Sequence, residues 1–422
     1  MPAPVLSSAL ASVSALLLAA CGAASGTGTH PSEVASAGAG FPIATSSGSG
    51  ATSWVVVPMG DVGTLRNTFW QLFVDRNGHG LLRLATPPGV ADNGGLVVSG
   101  GAGRRGLQVG VFTSQLLGFS PIAASQDGGL HWSGSVLPGE LTPVPDALSA
   151  ASTGPATALL GRDGARVLDG PSAAGSSASA RWTTVTTLAA LRHLAPPSCD
   201  LGALTAVTST GSAGSAGTAT VVGGACRHGG EVALFVNGPG GWRFAGGRLS
   251  GTAAAPAATS AATSTAVVSV WPAGNGHGSA LALVLARGAA AGSGSGRLVA
   301  VRLGSVLHAR TTAVAALPIP AGATIRAIGE APGGGAVVLV AGGSPADPSH
   351  ERVELLDAGT GAWQALPAPP ERTLGVLAER GGAVEALVVQ RSSLDVYRLA
   401  QSAARWISRE DERVPIAYGS SG

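Results

Sequence analysis

Ser125-Gln126-Asp127-Gly128-Gly129-Leu130-His131-Trp132 is the stretch on which the fold turns. An Asp two residues after a Ser can accept hydrogen bonds from turn amides that have no strand partner. The Gly that follows takes a backbone angle other residues avoid, and the Trp supplies a large apolar anchor. The stretch therefore reads as a capped hairpin turn between two short strands. Degraded forms recur down the chain at intervals of about fifty residues, as in Asn237-Gly238-Pro239-Gly240-Gly241-Trp242 and Asp357-Ala358-Gly359-Thr360-Gly361-Ala362-Trp363.

A second marker keeps the same period. Thr86-Pro87-Pro88-Gly89-Val90-Ala91-Asp92 precedes Leu96-Val97-Val98, Pro143-Val144-Pro145-Asp146 precedes Ala147-Leu148, and Pro196-Pro197-Ser198-Cys199-Asp200 precedes Leu204-Thr205-Ala206-Val207. The three acids are 54 residues apart, twice. Later copies are looser, at Pro318-Ile319-Pro320 and Pro367-Ala368-Pro369-Pro370-Glu371. Gly-turn tryptophans fall at Trp132, Trp182, Trp242, Trp363 and Trp406, with one slot near His308-Ala309-Arg310 that holds no Trp. Between markers lie two further apolar runs, such as Leu107 to Phe112 and Leu117 to Ala124.

Four short strands per repeat of forty to sixty residues is the pattern of a β-propeller blade. The expected fold is thus all-β, a β-propeller over residues 53–418, with seven four-stranded blades favoured over six and a β-sandwich pair further behind. Six units run from Asp92 to about Arg413. The N-terminal part offers only three strands, at Trp54-Val55-Val56-Val57, Phe69 to Val74 and Leu81 to Thr86. The C-terminal Val414-Pro415-Ile416-Ala417-Tyr418 is expected to supply the fourth and so close the ring, protecting its sheet edges.

Composition agrees with short strands. The 422 residues include 65 Gly and 27 Pro, too many for long helices, and only 11% are charged, against about a quarter in ordinary soluble proteins. All 25 basic residues are Arg, and no stripe exceeds Arg104-Arg105, so the electrostatic footprint of a nucleic-acid binder is missing. No apolar run approaches the ~20 residues of a spanning helix.

The ends carry an address. Residues 1–20 have an apolar core from Val5 to Ala20 that ends in Leu18-Ala19-Ala20-Cys21. This resembles the bacterial lipobox, although no Arg or Lys precedes the core. The resemblance implies a signal peptide over residues 1–20 and a lipidated Cys21 on the outer face of the cytoplasmic membrane. Residues 21–52, nearly all Gly, Ser, Thr and Ala after the Cys, are expected to form a flexible tether reaching about 30 Å; residues 419–422 form a tail. In an exported chain Cys199 and Cys226 read as a disulfide. Leu204 to Val207 and Thr218 to Val222 look like a hairpin with the cysteines placed symmetrically about its loop. His193 and His228 lie near the pair, but not at the spacing of a metal site.

The opening stretch resembles the Asp-box, Ser-x-Asp-x-Gly-x-x-Trp, of the sialidase-like BNR-repeat propellers. In that family the box lies on an outer turn, away from the ligand face. The resemblance implies that Ser125, Asp127, Gly129 and Trp132 are fold residues. It also raises a glycoside hydrolase acting on glycans or cell-envelope polymers as the alternative function. Family sialidases use a Tyr nucleophile and three Arg that clamp a carboxylate. Here Tyr397 falls in an outer strand and Tyr418 in the tail, while Arg66 and Arg83 lack the family's Arg-Ile-Pro context. His79 and His277 lie in Gly-rich turns. No catalytic residue and no metal ligand is therefore named.

Asp92, Asp146 and Asp200 each precede an innermost strand, so their approaches should converge on one face near the ring axis. Three carboxylates there could receive a cation such as Ca²⁺, a basic peptide segment or sugar hydroxyls. The competing reading is that each Asp caps its own turn. The expectation is a monomeric, lipid-anchored binding or assembly module for an unknown protein or glycan ligand. It requires no cofactor, binds no nucleic acid, and touches the membrane only through its anchor.

Overall fold

The computed structural model describes residues 44–48, 52–60, 68–76, 82–85, 96–100, 106–111, 121–136, 147–150, 156–160, 165–170, 182–210, 219–249, 263–273, 279–288, 295–304, 310–342, 351–390, 393–400, 403–409 and 414–415. Among them the strands follow one another as seven antiparallel units. The first holds β1 (Ala44–Ser47), β2 (Ser53–Gly60), β3 (Thr68–Asp75) and β4 (Arg83–Ala85). The second holds β5 (Leu96–Gly100), β6 (Leu107–Val111), β7 (Pro121–Ser125) and β8 (Ser133–Val136). The third holds β9 (Ala147–Ala150), β10 (Ala156–Leu160), β11 (Arg166–Asp169) and β12 (Thr183–Thr187).

A short helix, α1 (Leu188–Arg192), leads out of the third unit, its first turn capped by Thr187 Oγ1 accepting from the Ala190 amide at 3.2 Å. The fourth unit has β13 (Leu201–Thr210), β14 (Ala219–Cys226), β15 (Leu234–Gly238) and β16 (Gly241–Phe244). The fifth has β17 (Ser264–Pro272), β18 (Ala280–Arg287), β19 (Gly296–Leu303) and β20 (Thr311–Ile319). The sixth has β21 (Thr324–Ala331), β22 (Gly335–Ala341), β23 (Arg352–Asp357) and β24 (Ala362–Ala365). The seventh has β25 (Thr373–Ala378), β26 (Val384–Gln390), β27 (Ser393–Leu399) and β28 (Ile407–Ser408), with β29 (Val414–Pro415) beside β27.

The fold is a β-propeller, and its cohesion lies between units. One cluster joins Trp54, Val56 and Leu72 of the first unit to Val98 and Leu107 of the second. Equivalent clusters join the second to the third, the third to the fourth, and so on. A further one sets Val55, Val57 and Phe73 of the first unit against Leu377, Leu387 and Val396 of the seventh. Both faces of each sheet are thereby covered. A strand buried on both faces loses the alternation of a half-buried one, and all of β14 and β22 is buried. That accounts for the apolar bias in a chain where no helix among the described residues is long and apolar enough to cross a membrane.

The fourth strand of the first unit corrects the expectation. It comes from the segment read as tether, at Ala44–Ser47, and not from the C-terminus. β1 pairs antiparallel with β2 and parallel with β21. Val414–Pro415 instead pairs with Ser393 and Leu394 of its own unit, while residues 416–418 lie outside the described residues. Small hydroxyl residues can be buried here because each finds a partner. Ser46 Oγ donates to the Val376 carbonyl at 2.7 Å, Ser47 Oγ donates to Glu330 Oε2 at 2.8 Å, and the Gly48 amide donates to the Glu330 carbonyl at 3.1 Å. The absence of a Cβ at Gly329 leaves the space that Ser46 Oγ fills. Composition alone gives no sign of such pairing.

Trp132, Trp182, Trp242, Trp363 and Trp406 each stand at or just before the fourth strand of a unit, and Arg310 takes that place before β20. The period read from the tryptophans is therefore the period of the fold.

Candidate functional site

The capped turn has the geometry its residues imply. Asp127 Oδ1 accepts from the Leu130 and His131 amides at 3.0 and 2.9 Å, and Oδ2 lies 2.6 Å from His131 Nδ1. Ser125 Oγ donates to Asp127 Oδ1 at 2.8 Å and accepts from the Gly129 amide at 2.7 Å. The His131 amide, then its ring, then the Ser125 hydroxyl and the Leu130 amide hold the Asp127 carboxyl well below the usual carboxylate range. Gly128 and Gly129 have φ of 74° and 83°, the left-handed region that favours glycine. Trp132 packs on the cluster between the first and second units.

Sequence reasoning missed the clamp on this turn from next door: Arg76, just past β3, donates through Nε to the Gly128 carbonyl at 2.9 Å and through Nη2 to the Gly129 carbonyl at 3.4 Å. Arg302 of β19 does the same to the Ala358 carbonyl of the sixth unit, at 2.7 Å. The Asp357 turn there is capped too, its Oδ1 accepting from the Gly359 amide at 2.7 Å. All these contacts lie within turns or reach them from the neighbouring unit. They lie at the end of the ring where third strands finish, the far end.

At the opposite end, where innermost strands begin, Cys199 and Cys226 form a disulfide with Cα atoms 4.8 Å apart. The register explains the pairing, since Leu201 faces Cys226 across the β13–β14 ladder. Both cysteines are buried. The bridge ties the approach to β13 to the loop after β14, and so sets Asp200 beside Arg227 and His228. The Asp200 carboxylate lies 3.7 Å from Arg227 Nη1 and 3.8 Å from His228 Nδ1, and all three side chains are exposed. Asp200 has φ of 35°, a conformation that costs of order 1 kcal/mol for a non-glycine residue and is concentrated at functional sites.

Next to this trio the end of α1 and the loop after β14 add further charge. The helix places Arg192, whose Nε donates to the Leu201 carbonyl at 2.8 Å. The loop places Glu231, which accepts from Ser198 Oγ at 3.1 Å and lies 3.9 Å from Arg248 Nε. The result is a polar surface of three guanidiniums and two carboxylates, tied from beneath by the disulfide. At 3.7 to 3.9 Å its ion pairs are loose, so guanidinium donors remain free to turn toward a ligand. The signal for Arg227 and His228 was present in the sequence, since they directly follow the second cysteine.

Asp92 and Asp146, expected to converge with Asp200, lie outside the described residues, as do Cys21, His79, His277, Arg104 and Arg105. Tyr397 is on β27, a third strand. Among the described residues no group of three or more His, Cys, Asp or Glu could hold a metal ion.

No known protein family matches the sequence, and no curated protein matches it either. Solved structures do. A putative 6-phosphogluconolactonase from Bacteroides uniformis is similar over 87% of this chain and 97% of its own, with a TM-score of 0.50 at 8% identity. YCF48 bound to D1 peptide is similar over 85% of this chain and 93% of its own, with a TM-score of 0.43 at 13% identity. The six-bladed fucose-binding lectin of Aleuria aurantia is similar over 78% and 97%, with a TM-score of 0.39 at 12% identity. At these identities the likeness concerns the fold alone, and propellers host many unrelated activities.

Proposed function

We propose that the chain is a non-enzymatic propeller of seven blades, anchored through Cys21 outside the cytoplasmic membrane, that binds a protein or glycan ligand through the surface around Asp200, Arg227 and His228. The observation that carries this reading is the disulfide-held cluster, in which one carboxylate, one guanidinium and one imidazole are pre-positioned on a buried covalent bridge and open to solvent. Preorganised loops on a rigid scaffold are where binding sites concentrate. A disulfide also suits an oxidising compartment. The direction of β1 fits the anchor. It runs parallel to β21, so the chain upstream of Ala44 joins the ring at the end that carries Asp200, and a tether from Cys21 would hold that end toward the membrane.

The reading is tested by placing a photo-crosslinking residue at Arg227, and separately at His131 on the far end, in full-length protein in its native cell. A discrete adduct from position 227 that disappears with Asp200→Asn supports the site. Adducts from position 131 alone would place the binding surface at the other end and sink the proposal.

A further inference from the structure

Among the described residues, three other than glycine have φ in the left-handed region: Ala165 at 42°, Asp200 at 35° and Arg372 at 64°. All three lie at the end of the ring where innermost strands begin. Ala165 stands in the turn that leads into β11, while Asp200 and Arg372 directly precede β13 and β25. At the far end every described residue in that region is glycine, from Gly128 and Gly129 in the capped turn to Gly381 and Gly382 between β25 and β26. Glycine carries no steric cost there, and the chain has 65 of them. Side chains at the opposite end are therefore held against a local cost, which calls for a reason.

Ala165 has a reason in packing, since it is buried in the cluster between the third and fourth units. Asp200 and Arg372 have none, because both are exposed. Their settings match: each follows a Pro-rich approach that is tied down. Cys199, just before Asp200, is fixed by the disulfide. Before Arg372, Trp406 Nε1 donates to the Pro367 carbonyl at 3.0 Å and the buried Thr373 donates through Oγ1 to the Pro370 carbonyl at 2.7 Å.

Asp200 belongs to the fourth unit and Arg372 to the seventh, with the fifth and sixth between them. Packed sheets lie about 10 Å apart, so a ligand that touches both residues must span on the order of 20 Å, beyond the reach of a single sugar. The surface also offers both signs, Asp200 and Glu371 together with Arg227 and Arg372, which a polymer of one charge would not match. We propose that Asp200 and Arg372 belong to one docking surface for a folded protein, which crosses the fourth to seventh units and sets a carboxylate against Arg372. This rests on the reading of the Asp200 surface as the binding site and narrows its ligand to a protein. Arginine suits the role, because its planar fork pairs with a carboxylate through two parallel bonds and it is enriched among the residues that carry interface energy.

The test keeps the photo-crosslinking residue at position 227 of the full-length protein in its native cell, places one separately at Glu371, and combines the first with Arg372→Gly. Glycine relieves the strained φ, so the melting temperature should hold or rise while the yield of the position-227 adduct falls about tenfold. Positions 227 and 371 should capture the same protein, identified by mass spectrometry. An undiminished adduct from position 227 in Arg372→Gly overturns the proposal and leaves the Asp200 reading standing. So does a different protein, or none, from position 371. No adduct from position 227 sinks both. A polydisperse, protease-resistant adduct identifies a polymer and overturns the assignment to a protein. A lower melting temperature alongside the lost adduct makes Arg372 a turn residue and overturns its part in docking.

Discussion

Removing β1 should cost the ring more than removing its C-terminus. The perturbation is a chain starting at residue 49, with Ser46→Pro in the full chain as its partner, since proline strips a donor from a strand paired on both sides. Three side-chain and turn bonds go with β1: Ser46 to the Val376 carbonyl, Ser47 to the Glu330 carboxylate, and the Gly48 amide to the Glu330 carbonyl. Two ordinary bonds at about 1 kcal/mol each and one to a charged group at about 2 kcal/mol give about 4 kcal/mol. Val376 and Ala327, buried beneath Ala44 in one cluster, would lose cover as well. For a folded body of roughly 370 residues, at about 2.1 cal/mol/K per residue, that amounts to a fall in Tm of about 5 °C. Deleting residues 414–422 removes a strand with two register pairs and should shift Tm by about 1 °C or less. Calorimetry on the three proteins decides. If the C-terminal deletion lowers Tm as much as the loss of β1, the closure argued from the β1 contacts is wrong.

Two further outcomes follow from the turn and the bridge. Replacing both cysteines by Ser opens a loop of 27 residues; the chain-entropy estimate is about 3.5 kcal/mol, or about 4 °C in Tm, and an unchanged Tm would mean that the hairpin register alone holds the loops. The depressed Asp127 carboxyl keeps its contribution above the ordinary value of 3.8 and loses it only as pH falls through the lower folded value. The Leu130 and His131 amides should therefore stay protected from exchange at about pH 3.5 in the unmodified protein and not in Asp127→Ala; equal protection in both would deny the carboxylate its capping role.

Much of the fold was legible because its period is written in residues that local geometry demands. A Trp at or just before the fourth strand in five of the seven units, and a Pro-rich approach before the first strand in five, mark the units even where the strands themselves are mostly Val, Leu and Ala. β1 was not legible for a physical reason. Ala44-Thr45-Ser46-Ser47 has no apolar signal of its own, and its burial depends on acceptors at Val376 and Glu330, some three hundred residues away. The clamps from Arg76 and Arg302 were hidden in the same way, since an arginine that serves a neighbouring unit's carbonyl looks like any exposed arginine in sequence.

The site was half legible, and the half that was missed is instructive. Position before an innermost strand singled out Asp200, and cysteine arithmetic singled out the bridge, but each was weighed separately. The β13–β14 register makes them one object. Once Leu201 faces Cys226, the residue before the strand and the residue after its partner must be neighbours, so Asp200 meets Arg227 by chain geometry alone. The Asp200 carboxylate also lies near Arg227 and His228, so in the proposed site any recognition would rest on the arginine at least as much as on the acid.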